Sequence, residues 1–173
     1  MSLDESHTPV RVAAPRLLVI GIADHGVSDE QDHVLVTYAL GSCIAVAVYD
    51  PARRAAGMLH YMLPTGSIVP DQGASEASKF ADTGIPLLFR TMYQFGCKKT
   101  DLVVRITGGS KLYDDNGVFD IGRRNHAAAR QILWKAGVRI AAEDVGGNIS
   151  RTMRLVVATG GVTVRSGAEE KTL

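Results

Sequence analysis

The chain has 173 residues, 46% hydrophobic and 21% charged, which places it in the globular class with enough length for one domain around a buried core. Nineteen Lys and Arg against eighteen Asp and Glu leave a formal charge of +1, so the basic field that a nucleic-acid binder needs to neutralise phosphates is missing and nucleic acid is not an expected partner. Two cysteines, Cys43 and Cys97, are too few for a disulfide framework and too widely spaced for a structural zinc site, which points to free thiols in a reducing, cytoplasmic compartment.

Residues 1–15 lack periodicity and carry Asp4, Glu5, Ser6 and His7 where a signal peptide needs an apolar run. They are expected to form a flexible N-terminal tail. No later apolar stretch has the length to span a bilayer, so membrane insertion is not expected. Residues 16–22, 33–40 and 44–49 are short runs rich in β-branched residues, punctuated by Gly, Asp or Ser, and read as strands. The polar turn Asp50-Pro51-Ala52-Arg53-Arg54 cannot continue a ladder at its proline, and residues 57–63 return as the second arm of a hairpin.

Residues 65–73, rich in Gly, Pro and Ser, read as a loop. The apolar positions Ile85, Leu88, Phe89 and Met92 then have helical spacing, with Asp82 or Thr83 as cap, Pro86 in the first turn and Gly96 at the end. Residues 102–107 form the next strand and Gly108-Gly109 a tight turn. A second helix is expected over 124–136, closed by Gly137. Strands follow at 138–142, 152–158 and 162–165, the last two joined by a hairpin turn at Thr159-Gly160-Gly161. Residues 166–173 have little to bury and are expected to form a flexible C-terminal tail. The pattern predicts one α+β domain over 16–165, with about eight mostly antiparallel strands and two main helices.

Cys43 carries the clearest chemical signal, because it follows a Gly41-Ser42 bend and precedes a buried strand. A thiol becomes a nucleophile only as thiolate, which needs a base or dipole to bring its pKa down from about 8.5. A four-residue hairpin loop at 51–54 pairs Asp50 with Ala55 and sets Cys43 opposite Met62. His60 then shares its face as a diagonal neighbour, roughly 7 Å away between backbones. A slip of one residue would separate them. Thr37, on the preceding strand, is placed to orient the imidazole. On spacing alone each residue also has a plain reading: Cys43 as a small buried hydrophobe, His60 as a satisfied structural histidine, Thr37 as an ordinary strand residue.

Cys97, beside Gly96 and Lys98 at a helix end, reads as structural. Gly108-Gly109-Ser110 lacks the Gly-Lys-Ser/Thr ending of a phosphate loop and reads as a plain turn. Asp114, Asp115, Asn116 and Asp120 lack the closing glutamate of a calcium loop, and the histidines show no metal-binding spacing, so neither a metal nor a cofactor is expected. Arg123, Arg124, Arg130 and Arg139 read as solvated surface.

The run 37–49 (TYALGSCIAVAVY), His60-Tyr61-Met62-Leu63-Pro64, the helix start at Asp82-Thr83-Gly84-Ile85-Pro86, Gly108-Gly109, Ile121-Gly122-Arg123-Arg124-Asn125, and Gly146-Gly147 with Arg151-Thr152 together resemble CheD, the chemoreceptor glutamine deamidase family of bacterial chemotaxis. The likeness covers residues 17–164 and departs from the family pattern at Ser150 and Thr107. It implies a fold like that of the cytotoxic necrotising factor deamidases, a catalytic set of Cys43, His60 and Thr37, and conversion of glutamine side chains of methyl-accepting chemoreceptors to glutamate through a cysteine thioester. It also implies hydrolysis of glutamyl methyl esters, and the CheC phosphatase as a second partner. Such a substrate presents its glutamine on a helix face, so the loops 65–78 and 109–116 are expected to line the recognition surface. Two other readings stand beside this one. One is a non-enzymatic chemotaxis adaptor with Cys43 buried; the other is a cysteine peptidase using the same nucleophile and base.

Overall fold

The computed structural model describes residues 14–66, 74–111 and 120–173. Its elements in chain order are β1 (Arg16–Val19), β2 (Asp24–Ser28), β3 (His33–Leu40), β4 (Ile44–Asp50), β5 (Ala55–Tyr61), α1 (Ala81–Gln94), β6 (Val103–Gly108), α2 (Ile121–Lys135), β7 (Ile140–Val145), β8 (Arg151–Val156), β9 (Val162–Ser166) and β10 (Glu169–Thr172). Short 3-10 turns over Ala74–Lys79 and Lys99–Asp101 precede α1 and β6. One sheet has the order β1-β3-β8-β9-β10, the other β2-β5-β4-β6-β7. All pairings are antiparallel except β1 with β3 and β6 with β7. This is a single α+β domain, as the mostly hairpin-linked strand signals predict. No helix among the described residues is long and apolar enough to cross a membrane.

Strand periodicity sorts the side chains into three layers. On β4 and β5, Ile44, Val46, Val48, Leu59 and Tyr61 pack beneath the helices against Ile85, Leu88, Met92 and Leu133. The alternate residues Ala45, Ala47, Tyr49, Ala56 and Met58 face the other sheet, where they meet Leu35, Leu40, Met153, Leu155 and Val164. Covered on both faces, these two strands are buried along their whole length, and that is why they read as continuous apolar runs.

The structure corrects several boundaries. Residues 169–172, expected within a flexible tail, form β10 along β9. All four side chains there are exposed, so backbone pairing holds the strand and hydrophobicity gives no sign of it. β2 was also invisible, because Asp24, His25 and Gly26 have little strand propensity and the segment is held at the sheet edge by β5. Neither Asp82 nor Thr83 caps α1. The helix starts after Phe80 without a side-chain cap, Thr83 Oγ1 donates to the Ala77 carbonyl, and the Asp82 carboxylate accepts from Thr65 Oγ1 and Gly66 N–H. Pro86 is the sixth helical residue, past the first turn. The second helix begins three residues early, at Ile121, because the Asp120 side chain accepts from the Arg123 N–H. Gly96 and Gly137 end the helices at φ +79° and +67° as expected. Of the expected N-terminal tail, residues 1–13 lie outside the described part of the chain.

Candidate active site

The β4–β5 hairpin has the register that the turn at 51–54 predicts. Asp50 pairs with Ala55, Ala45 with His60 and Ile44 with Tyr61, which continues to Cys43 opposite Met62. His60, Met58 and Ala45 therefore project between the sheets, and Cys43 packs at the edge of the same inter-sheet core. Thr37 reaches this seam from the facing sheet, on β3. There the ladder with β8 shifts register between Thr37 and Leu40, and Ala39 takes a left-handed φ of +56°. A non-glycine residue in that region marks a local bend held by its surroundings, two residues after the threonine.

The Thr37 hydroxyl lies 2.7 Å from the Ile20 carbonyl oxygen and 2.8 Å from His60 Nδ1. A hydroxyl has one proton, and a carbonyl can only accept. Thr37 must therefore donate to Ile20 and accept from His60 Nδ1–H. The chain of two bonds fixes the neutral tautomer of the imidazole with Nε2 unprotonated. That nitrogen is buried and has no hydrogen-bond partner among the described residues. His60 is thus an oriented base with its lone pair unspent.

Burial lowers the His60 pKa to about 4 and pushes the Cys43 thiol up, an effect only partly offset by the cysteine's own backbone N–H. The resting pair is therefore neutral thiol and neutral imidazole. The expected lowering of the thiol pKa is not met in this state, because burial raises it and only the cysteine's own N–H opposes that. Among the described residues no donor, the Cys43 thiol included, is hydrogen-bonded to Nε2. A pH dependence of stability follows. Between about pH 6.5, the usual histidine value, and pH 4 the unfolded chain holds more protons at this residue than the folded one. Stability is therefore fully present above that window and falls as pH drops through it, by up to about 1.4 kcal/mol per unit. Urea midpoints at pH 7.5 and pH 5 are expected to separate more in the wild type than in His60→Gln, which has lost this titration.

Several supporting residues escaped the sequence reading. Asn125, fully buried on α2, donates from Nδ2 to the Ser42 carbonyl at 2.9 Å and to the Met62 carbonyl at 2.7 Å. It thereby ties the cysteine loop to the end of the histidine strand. Tyr61 Oη donates to the Asn125 carbonyl at 2.6 Å. An asparagine on the buried face of a helix is the signal that marks it. Gly108-Gly109 is more than a turn: a Cβ at Gly108, whose φ is +112°, would collide with the Cys43 carbonyl oxygen. Arg151 is buried, with its guanidinium on the Asp144 carboxylate, Ser110 Oγ and the Gly146 carbonyl. Thr107, the departure from the family pattern, donates to the Asp144 carbonyl at 2.6 Å. Cys97 sits far from this seam, buried in the helical layer, its thiol pushed up to about 11 chiefly by burial and then by Asp50. Of the two expected recognition loops, residues 67–73 of the first and 112–116 of the second, with Asp114, Asp115 and Asn116, lie outside the described residues.

The fold and this seam define an α+β domain that carries an oriented imidazole and a half-buried cysteine on one face of its central hairpin. The family model described as CheD chemotactic sensory transduction matches residues 62–166. Similar proteins include "Probable chemoreceptor glutamine deamidase CheD 2" of Anaeromyxobacter dehalogenans, 50% identical over 151 residues, which are 87% of this chain and 95% of that one. "Probable chemoreceptor glutamine deamidase CheD 1" of Syntrophus aciditrophicus is 47% identical over 86% of this chain and 93% of its own. The CheD protein of Solibacter usitatus is 44% identical over 90% and 92%. The chain belongs to the CheD family. A solved structure, Neisseria meningitidis protein NMB0706 of family-model DUF152, is similar at 16% identity with a TM-score of 0.43, over 78% of this chain and 64% of that one.

Proposed function

We propose that this protein is a chemoreceptor glutamine deamidase in which Cys43 is the nucleophile, His60 the general base and acid, and Thr37 the residue that orients the imidazole. What supports the proposal is the fixed tautomer together with the hairpin register: Thr37 holds Nδ1–H and leaves the lone pair of Nε2 free, and the β4–β5 ladder puts His60 on the same face as Cys43. The kinship to proteins named as chemoreceptor glutamine deamidases supplies the substrate class. In the first half-reaction Cys43 Sγ attacks the glutamine Cδ while its proton passes to Nε2. The oxyanion is held by backbone N–H, the C–N bond breaks, and Nε2–H protonates the departing ammonia. The thioester is then attacked by water, whose proton goes to Nε2. The C–S bond breaks, the sulfur regains its proton, and glutamate is left. The same acyl-enzyme forms from a glutamyl methyl ester with methanol as leaving group. Cys43 is half-buried rather than fully enclosed, which favours this reading over an adaptor with a buried thiol.

The test is mass spectrometry of a folded chemoreceptor cytoplasmic fragment after incubation with the protein. A gain of about one dalton at defined glutamines is expected from amide hydrolysis; an unchanged mass at every glutamine, or cleavage of the chain, overturns it. Because a helix-borne glutamine comes pre-ordered, a short unstructured peptide and free glutamine are expected to react far more slowly than the fragment. Thr37→Ala is expected to lower the deamidation rate by about tenfold to a hundredfold, through loss of imidazole orientation. Thr37→Ser, which keeps the hydroxyl, should recover most of the rate in the same assay.

A further inference from the structure

Three successive carbonyls of the cysteine loop are held by hydrogen bonds. Ser110 N–H donates to the Gly41 carbonyl at 2.8 Å, Asn125 Nδ2 to the Ser42 carbonyl at 2.9 Å, and Gly109 N–H to the Cys43 carbonyl at 2.8 Å. The Ser42 carbonyl and the Cys43 N–H belong to one trans peptide and point in opposite directions. Holding the carbonyl toward α2 therefore aims the N–H away from it. That N–H lies beside the cysteine's own sulfur, where it favours the thiolate, and it has no other hydrogen-bond partner among the described residues.

We infer that Asn125 is a positioning residue for the reaction: by gripping the Ser42 carbonyl it sets the Cys43 peptide so that its N–H faces the oxygen of the tetrahedral intermediate. The inference rests on the nucleophile assignment to Cys43. Two features separate Asn125 from an ordinary core residue. Its Oδ1 is buried without a partner among the described residues, a cost that an apolar residue in the same place would avoid. Its two Nδ2 protons go to Ser42 and Met62, the carbonyls on either side of the Cys43–Met62 register position, so one amide fixes both arms of the site. The other two grips come from backbone and survive most substitutions. Only the central one depends on a side chain.

The experiment measures kcat and KM for deamidation of a folded chemoreceptor fragment by Asn125→Ala and Asn125→Ser, with Met92→Ala, in the helical core, as a control of comparable stability loss. An oxyanion donor is engaged only in the transition state, so kcat is expected to fall by about 30-fold to 100-fold in Asn125→Ala with KM within about twofold of wild type. Asn125→Ser, which offers one hydroxyl donor, is expected to fall in between, and Met92→Ala to keep its kcat. A folded Asn125→Ala with wild-type kcat, a rise in KM alone, or an equal loss in Met92→Ala overturns the inference. If Asn125→Ala fails to fold, Asn125→Ser decides: lowered kcat at unchanged KM supports the role, and wild-type kcat removes it. Cys43→Ala is run alongside, and activity retained there would fault the nucleophile assignment rather than the role of Asn125.

Discussion

Cys43→Ala is expected to abolish deamidation, a fall of about four orders of magnitude or more, while the protein keeps its fold. No acyl-enzyme forms without the sulfur, and the residual rate comes only from water attack in the bound state. The structural cost is small because Cys43 sits at the half-buried edge of the inter-sheet core rather than within it, so the change in stability stays near about 1 kcal/mol. Mass measurement of receptor glutamines together with a melting curve separates the two effects. Cys97→Ala is the matched comparison, since it also removes a thiol, but from the helical layer beside Asp50. Full turnover is expected there. A comparable loss would mean that the wrong sulfur has been assigned.

His60→Ala is expected to lower kcat by about a hundredfold or more, because both half-reactions move a proton through the same nitrogen. The wild-type pH profile carries a sharper signature. A base whose pKa burial has lowered to about 4 stays neutral well below the ordinary histidine range, while a thiol pushed upward stays protonated well above neutrality. The productive form, thiol with neutral imidazole, thus spans a broad plateau, and the acid limb of kcat/KM is expected near pH 4. An acid limb at the ordinary histidine value would show that His60 is solvated in the working enzyme. A narrow bell around neutrality would indicate a preformed thiolate and imidazolium.

The central hairpin was legible from sequence because a single polar loop, 51–54, sets its register. With that register known, the face shared by Cys43 and His60 follows from a period of two. Thr37 was legible as a strand residue on the neighbouring run. Its place across the seam, on the other sheet, was not, since pattern says nothing about which strands share a sheet. β2 and β10 escaped because their stability comes from backbone pairing at sheet edges and not from apolar faces. Asn125 escaped for a related reason: its partners are carbonyls far away in sequence, at Ser42 and Met62, and no local spacing encodes them. The pKa directions were likewise beyond a one-dimensional reading, because they depend on how deeply the folded chain encloses each group.

Thr37 stands on β3 in one sheet, while His60 on β5 and Cys43 at the foot of β4 belong to the other. Neither sheet alone contains the whole of the proposed site. A nascent or heat-loosened chain in which one sheet has formed and the other has not docked carries a thiol and an imidazole but no orienting hydroxyl and no dry enclosure. On the assignment proposed above, such a chain reacts far more slowly than the completed fold, so modification of other proteins' glutamines by half-folded molecules is held down without a separate inhibitor.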